Sequence, residues 1–172
     1  MWPQRKKFFQ ERINKVKIRT DFITNSSSSS FILGFNSIED IESKVFLNFD
    51  GEHAEYVSKD IPKNITTRDK VIEEFREYVD SREYDYLINY IQRKKGCRYC
   101  EAFDWIKENP EKAKKLHKEH LESEMKKFIE DIDKYNVFSI VSYGDDSGSF
   151  FGTLEHDLIP SSNFCIRRLD YH

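Results

Sequence analysis

The amino-acid sequence predicts an α+β domain built on a mainly antiparallel sheet, and three observations carry that expectation. Short apolar or alternating runs cluster at the two ends, over residues 17–58 and 137–168. Between them, residues 66–133 carry apolar side chains at the three- and four-residue spacing of amphipathic helices. Strands and helices in separate blocks point to a segregated α+β layout rather than alternating βαβ units. At 172 residues the chain is long enough for one domain with a substantial core.

Charge is abundant and nearly balanced, with a formal net value of −3. Its distribution is uneven. Residues 1–20 hold seven Lys/Arg against Glu11 alone, a local +6, so the remainder carries about −9. No apolar run is long enough to span a membrane, and no apolar core follows the basic start as a secretory signal requires. Three cysteines, two of them in a C-x-x-C, argue against a disulfide framework and for a reducing, cytoplasmic compartment.

Taken in order, residues 1–16 form a basic N-terminal extension with helical spacing of Trp2, Phe8, Phe9, Ile13 and Val16, and residues 17–172 form the domain. Alternation over Val16–Phe22 predicts a strand, and Thr24 to Ser30 a loop rich in turn-forming side chains. Phe31–Phe35 is continuously apolar and reads as a buried strand. Ser37 caps a short helix over 38–42. Val45–Phe49, the Asp50-Gly51 turn and Glu52–Ser58 read as a hairpin. A helix starts at Thr66 or Thr67 and buries Val71, Ile72, Phe75, Tyr78 and Val79. Another follows Ser81, buries Tyr84, Leu87, Ile88 and Ile91, and ends at Gly96 behind three cations. Phe103–Lys107 is a single turn or a loop, and Pro110 opens a long helix, capped by Asn109, that runs to about Asp133. Val137–Tyr143 and Ser149–Leu154 form a hairpin around Gly144–Gly148, and Phe164–Ile166 is a last strand in which Cys165 acts as a small buried hydrophobe.

The run Lys17-Ile-Arg-Thr-Asp-Phe-Ile-Thr-Asn-Ser-Ser-Ser-Ser-Ser-Phe31 resembles the opening segment of many small proteins from Firmicutes and their mobile elements. The resemblance implies a bacterial mobile-element or phage setting and brings no activity with it. Physically, Ser26, Ser27, Ser28, Ser29 and Ser30 offer hydroxyls and successive backbone N–H groups that can cradle an anion, or else satisfy main-chain groups in a structured loop.

The sharpest chemical pattern is Cys97-x2-Cys100-x16-His117-x2-His120. Two thiolates on a tight turn and two imidazoles on one helix face can share a tetrahedral zinc, and four protein ligands would make it structural. This segment, 96–133, is the expected zinc-knuckle-like insertion of the helical block. It resembles the Cys2His2 zinc fingers, with Tyr99, Phe103 and Leu116 in the accompanying apolar positions. The positions from which that family reads DNA hold Glu108, Glu111 and Lys112, which are poor at reading bases. A redox dithiol, or core histidines bonded to carboxylates such as Glu124, are the other uses of the same residues.

Glu155-His156-Asp157, with Asp145 and Asp146 across the expected hairpin, forms a compact polar cluster that can bind a metal, act as acid and base, or simply be a solvated hairpin end. Three functions follow. The first is a zinc-stabilised, non-enzymatic binding or regulatory protein with a protein partner. The second is a nucleic-acid binder using the basic N-terminus, Arg93 to Arg98 and Lys112 to Lys118. The third is a hydrolase or nuclease-like enzyme using Glu155 and His156.

Overall fold

The computed structural model describes residues 28–144 and 149–171. The basic extension, the strand expected over Val16–Phe22, Ser26, Ser27, Asp145 and Asp146 lie outside the described residues.

Strand β1 (Ser28–Phe35) starts inside the serine run, so part of the expected loop is strand. Helices α1 (Asp40–Asn48) and α2 (Gly51–Asp60) follow, then a 3-10 turn (Ile61–Asn64) and the two-residue strand β2 (Ile65–Thr66). The helical block comprises α3 (Arg68–Ser81), α4 (Glu83–Lys95), α5 (Tyr99–Glu108) and α6 (Pro110–Ile132). Strand β3 (Val137–Gly144) returns the chain to the sheet. Helix α7 (Ser149–Thr153), a π-helical turn (Leu154–Leu158) and α8 (Ile159–Ser161) lead into β4 (Cys165–Tyr171). The strand order is β2-β3-β1-β4, with every neighbouring pair antiparallel. The fold is therefore α+β, and no helix among the described residues is long and apolar enough to cross a membrane.

Strand β1 is central and buried on both faces. Phe31, Leu33 and Phe35 pack with Val141 and Tyr143 beneath α1, α2 and the turns before β4. Ile32 points the other way and packs with Phe138 and Leu169 beneath α3 and α6, where Phe75 and Phe128 stack at 4.0 Å. Each such large side chain contributes roughly 1.5–3 kcal/mol on leaving water. A separate cluster of Leu87, Ile88, Ile91, Ala102, Ile106 and Ala113 holds α4, α5 and the start of α6 together, away from the sheet.

Local signals fix several boundaries. The Thr67 hydroxyl accepts the Lys70 amide at 3.2 Å and caps α3. Gly96 ends α4 in the left-handed region at φ 64°, as its place behind three cations predicts. Pro110 opens α6. Three expected strands are helices instead. Val45–Phe49 and Glu52–Ser58 fall in α1 and α2, because Ile41 and Val45, then Ala54 and Val57, recur at helical spacing and face the core. Phe46 and Leu47, which made the first run look like a buried strand, are exposed at 48% and 80%. Ser149–Leu154 is likewise helical rather than a returning strand, and the loop or single turn expected at Phe103–Lys107 is part of α5.

Gly34 sits tightly against Tyr135 and the neighbouring strand. A Cβ there would lie 2.6 Å from Tyr135 Cγ and 2.7 Å from Ile166 Cδ1. Gly34→Ala is therefore expected to cost about 1–3 kcal/mol through overpacking. Urea unfolding checks it, and an unchanged midpoint would show that Tyr135 and Ile166 move aside freely.

Candidate functional site

Cys97, Cys100, His117 and His120 do not converge. Among the described residues no three His, Cys, Asp or Glu side chains form a group that could hold a metal ion. Each of the four has its own surroundings. Cys97 packs against the cluster within α4–α6, with its Sγ 3.9 Å from the Ile91 carbonyl. Cys100 falls in the first turn of α5 and is exposed. His117 is buried and bonds Asp80 of α3 through Nε2 at 2.9 Å. His120 lies flat on the Tyr86 ring of α4, with centroids 3.6 Å apart and planes within 2°. The partners that two histidines in an apolar stripe require are supplied by α3 and α4, not by the cysteines.

The serines and the acid–base candidates meet elsewhere. Ser30 bonds Ser142 across β1 and β3 at 2.6 Å. The buried Ser29 hydroxyl lies 2.7 Å from Glu155 Oε1 and 2.8 Å from Asp170 Oδ1. One hydroxyl carries one proton, so it serves one carboxylate at a time. Arg168 spans the group: Nε donates to Asp170 at 2.6 Å, Nη2 to Ser29 at 2.9 Å, and Nη1 to the Glu155 carbonyl at 3.3 Å. Thus Ser29 is set between two carboxylates, a poor setting for an anion. The π-helical turn directs Glu155 inward, fully buried, with Oε2 lacking a hydrogen-bond partner, while His156 is half-exposed with its Nε2 3.9 Å away. Glu155 and His156 thus face each other at ion-pair distance across a buried and an exposed environment. Cys165 is half-buried, and burial pushes its thiol up to about 11.

Two adjoining surface grooves flank α4. Helix α4 spends Leu87, Ile88 and Ile91 on its apolar cluster. Arg82, which precedes it, and Tyr86, Asn89, Tyr90 and Arg93 recur at three- and four-residue intervals on another face. The first groove, of about 350 Å³, lies between α3, α4, α6 and β4 and is lined by Arg82, Arg167 and Arg168 together with Phe75, Tyr78, Tyr86, Asn89, His120, Asp85 and Glu124, among others. Arg82 donates through Nη1 to the Asp170 carbonyl at 3.0 Å and to the Tyr78 hydroxyl at 3.3 Å, and its Nη2 is 3.5 Å from Asp85. Arg167 pairs with Asp131 at 3.1 Å, and its guanidinium lies 6.0 Å from the centre of the Phe75 ring. Burial holds His120 below the ordinary histidine range; Glu124 opposes this, and His117 and Lys127 reinforce it. Burial likewise raises the Tyr86 phenol, with smaller contributions from Tyr90 and Glu119. The second groove, of about 320 Å³, shares Tyr86 and Asn89 and adds Tyr90, Arg93 and Lys94.

Of these lining residues, Arg93, Lys94 and His120 stand out in the sequence. Arg82, Tyr86, Tyr90, Arg167 and Arg168 do not. The available signal is the pair of tyrosines four apart, with Arg82 and Arg93 continuing the same face. No protein-family model, curated protein or solved structure matches the chain.

Removing Arg168 leaves the Glu155 carboxylate buried without its cation. Arg168→Met is expected to cost about 3–5 kcal/mol in urea unfolding, with part recovered in Arg168→Met/Glu155→Gln. No recovery would mean that the guanidinium acts through packing alone. For His120, the depressed value means that the unfolded chain binds more protons as pH falls through the ordinary histidine value of 6.5. Stability is then lost on acidification. The melting temperature should fall more steeply across that range in the native protein than in His120→Gln; equal slopes would contradict it.

Proposed function

We propose that this is a non-enzymatic binding protein whose first groove takes a phosphate-bearing ligand. The observation that carries this is the convergence of Arg82, Arg167 and Arg168, from the start of α4 and from β4, on one groove of about 350 Å³. That volume is in the range of small-ligand sites. Guanidinium groups match phosphate oxygens in geometry as well as charge. Arg82 and Arg167 are the direct holders. Arg168 is tied to Ser29, Glu155 and Asp170 and contributes charge from behind. The His120–Tyr86 stack gives the same groove a planar, neutral wall. A binding role is favoured over a catalytic one because Ser29, Glu155 and His156 line neither groove. Three free cysteines fit a cytoplasmic setting for such a protein.

Inorganic pyrophosphate is the simplest probe. At about ten times its dissociation constant it should add ~1.4 kcal/mol and raise the melting temperature by roughly 3–6 °C against a sulfate control of matched ionic strength. Arg82→Ala should lose most of that rise. A native protein that melts at the same temperature with and without pyrophosphate would remove the proposal.

A further inference from the structure

We infer that the two grooves act as one track for single-stranded nucleic acid, laid along the α4 face that carries Tyr86, Asn89, Tyr90, Arg93 and Lys94. The inference rests on the phosphate-binding role proposed for the first groove and names the class of ligand. The grooves share Tyr86 and Asn89 and so adjoin there. From Arg82 to Lys94 the face runs about 18 Å at the helical rise of ~1.5 Å per residue.

Charge changes along this path. The first groove is lined by three arginines against Asp85 and Glu124, and Asp131, Glu155 and Asp170 pair with Arg167 and Arg168 beside it. The second adds Arg93 and Lys94 and no carboxylate, so the unbalanced positive charge of the track lies there, on a chain whose total is −3. Among the described residues neither Arg93 nor Lys94 has a carboxylate partner. Lys94 instead bonds the Tyr90 hydroxyl at 3.1 Å and hangs over its ring at 5.4 Å. Tyr86 and Tyr90 are 5.9 Å apart, tilted, and half-buried. His120 occupies one face of Tyr86 and Lys94 lies over one face of Tyr90, so an unpaired base would take the other face of Tyr90. Cations that follow a backbone, interleaved with rings that take any base face, are the requirements of sequence-tolerant single-strand binding. A duplex hides its base faces and gains nothing from Tyr90.

The test measures fluorescence anisotropy of a labelled short oligothymidylate with the full chain over a salt titration. A thymidine mononucleotide serves as competitor, and a duplex of equal length is run in parallel. The oligonucleotide should bind at least tenfold more tightly than the mononucleotide and more tightly than the duplex. Log affinity should fall by about 0.7 per decade of salt for each phosphate engaged. Tyr90→Ala should weaken binding about tenfold. Arg93→Ala/Lys94→Ala should flatten the salt slope by about 1.4. Oligonucleotide binding that survives both variants, held for example by the basic residues 1–20, overturns the track. So does equal affinity for the duplex or the mononucleotide. If pyrophosphate still raises the melting temperature in those cases, the first groove stands and only the track falls. If pyrophosphate and oligonucleotide both fail, both readings fall.

Discussion

Everything in this fold is arranged around one strand that has no surface to spare. Strand β1 is paired on both edges, with β3 on one side and β4 on the other. Its side chains are divided between two helical layers. A segment with both edges and both faces occupied can shift register only by moving every buried side chain to the wrong layer. That constraint explains the continuous apolar run of Phe31–Phe35. It also explains Gly34, where Tyr135 and Ile166 leave no room for a Cβ. Helices α1 and α2 on one side, and α3 and α6 on the other, are consequences of covering the two faces.

The same alternation places the electrostatics. Arg167 and Arg168 are adjacent in β4 and so point to opposite faces of the sheet. Arg168 turns toward Ser29, Glu155 and Asp170 and fastens the π-helical turn to the end of the sheet. Arg167 turns toward Phe75 and Asp131, beside the groove. A bulge between the Ile32 and Leu33 pairings resets the register after Ile166, and only downstream of it does each arginine face its own layer. One strand thus supplies, from two consecutive half-buried residues, a fastener on one face and a cation beside the groove on the other.

Much of the architecture was legible in local sequence, and the parts that were not share a cause. Phe31–Phe35, the cap at Thr67, the terminator at Gly96 and the opening at Pro110 each carry their own signal within a few residues. Val45–Phe49 did not. A five-residue apolar run is compatible with strand or helix, and only its partners Ile41 and Ala54, facing the same core, decide it. The spacing of Cys97, Cys100, His117 and His120 fixes distance along the chain, not convergence in space. Asp80 and Tyr86, which engage the histidines, come from helices α3 and α4 and leave no mark near residues 117–120. The grooves were hidden for the same reason, since α3, α4, α6 and β4 contribute to one of them. Of their lining only Arg93, Lys94 and His120 stood out beforehand; the tyrosine pair on α4 did not, since two aromatics on a helix are more often core than surface.

Among the described residues strand β4 is also an outer strand of the sheet. There the Arg82 guanidinium already holds the Asp170 carbonyl, a main-chain group that another copy would need in order to add itself as a further strand. Such a copy, laid against the same edge, would also crowd its own arginines beside Arg167 and Arg168. Like charges and a blocked acceptor are how exposed strand edges avoid templating polymers. Self-templating along that edge therefore starts with one acceptor already taken, whatever the chain binds.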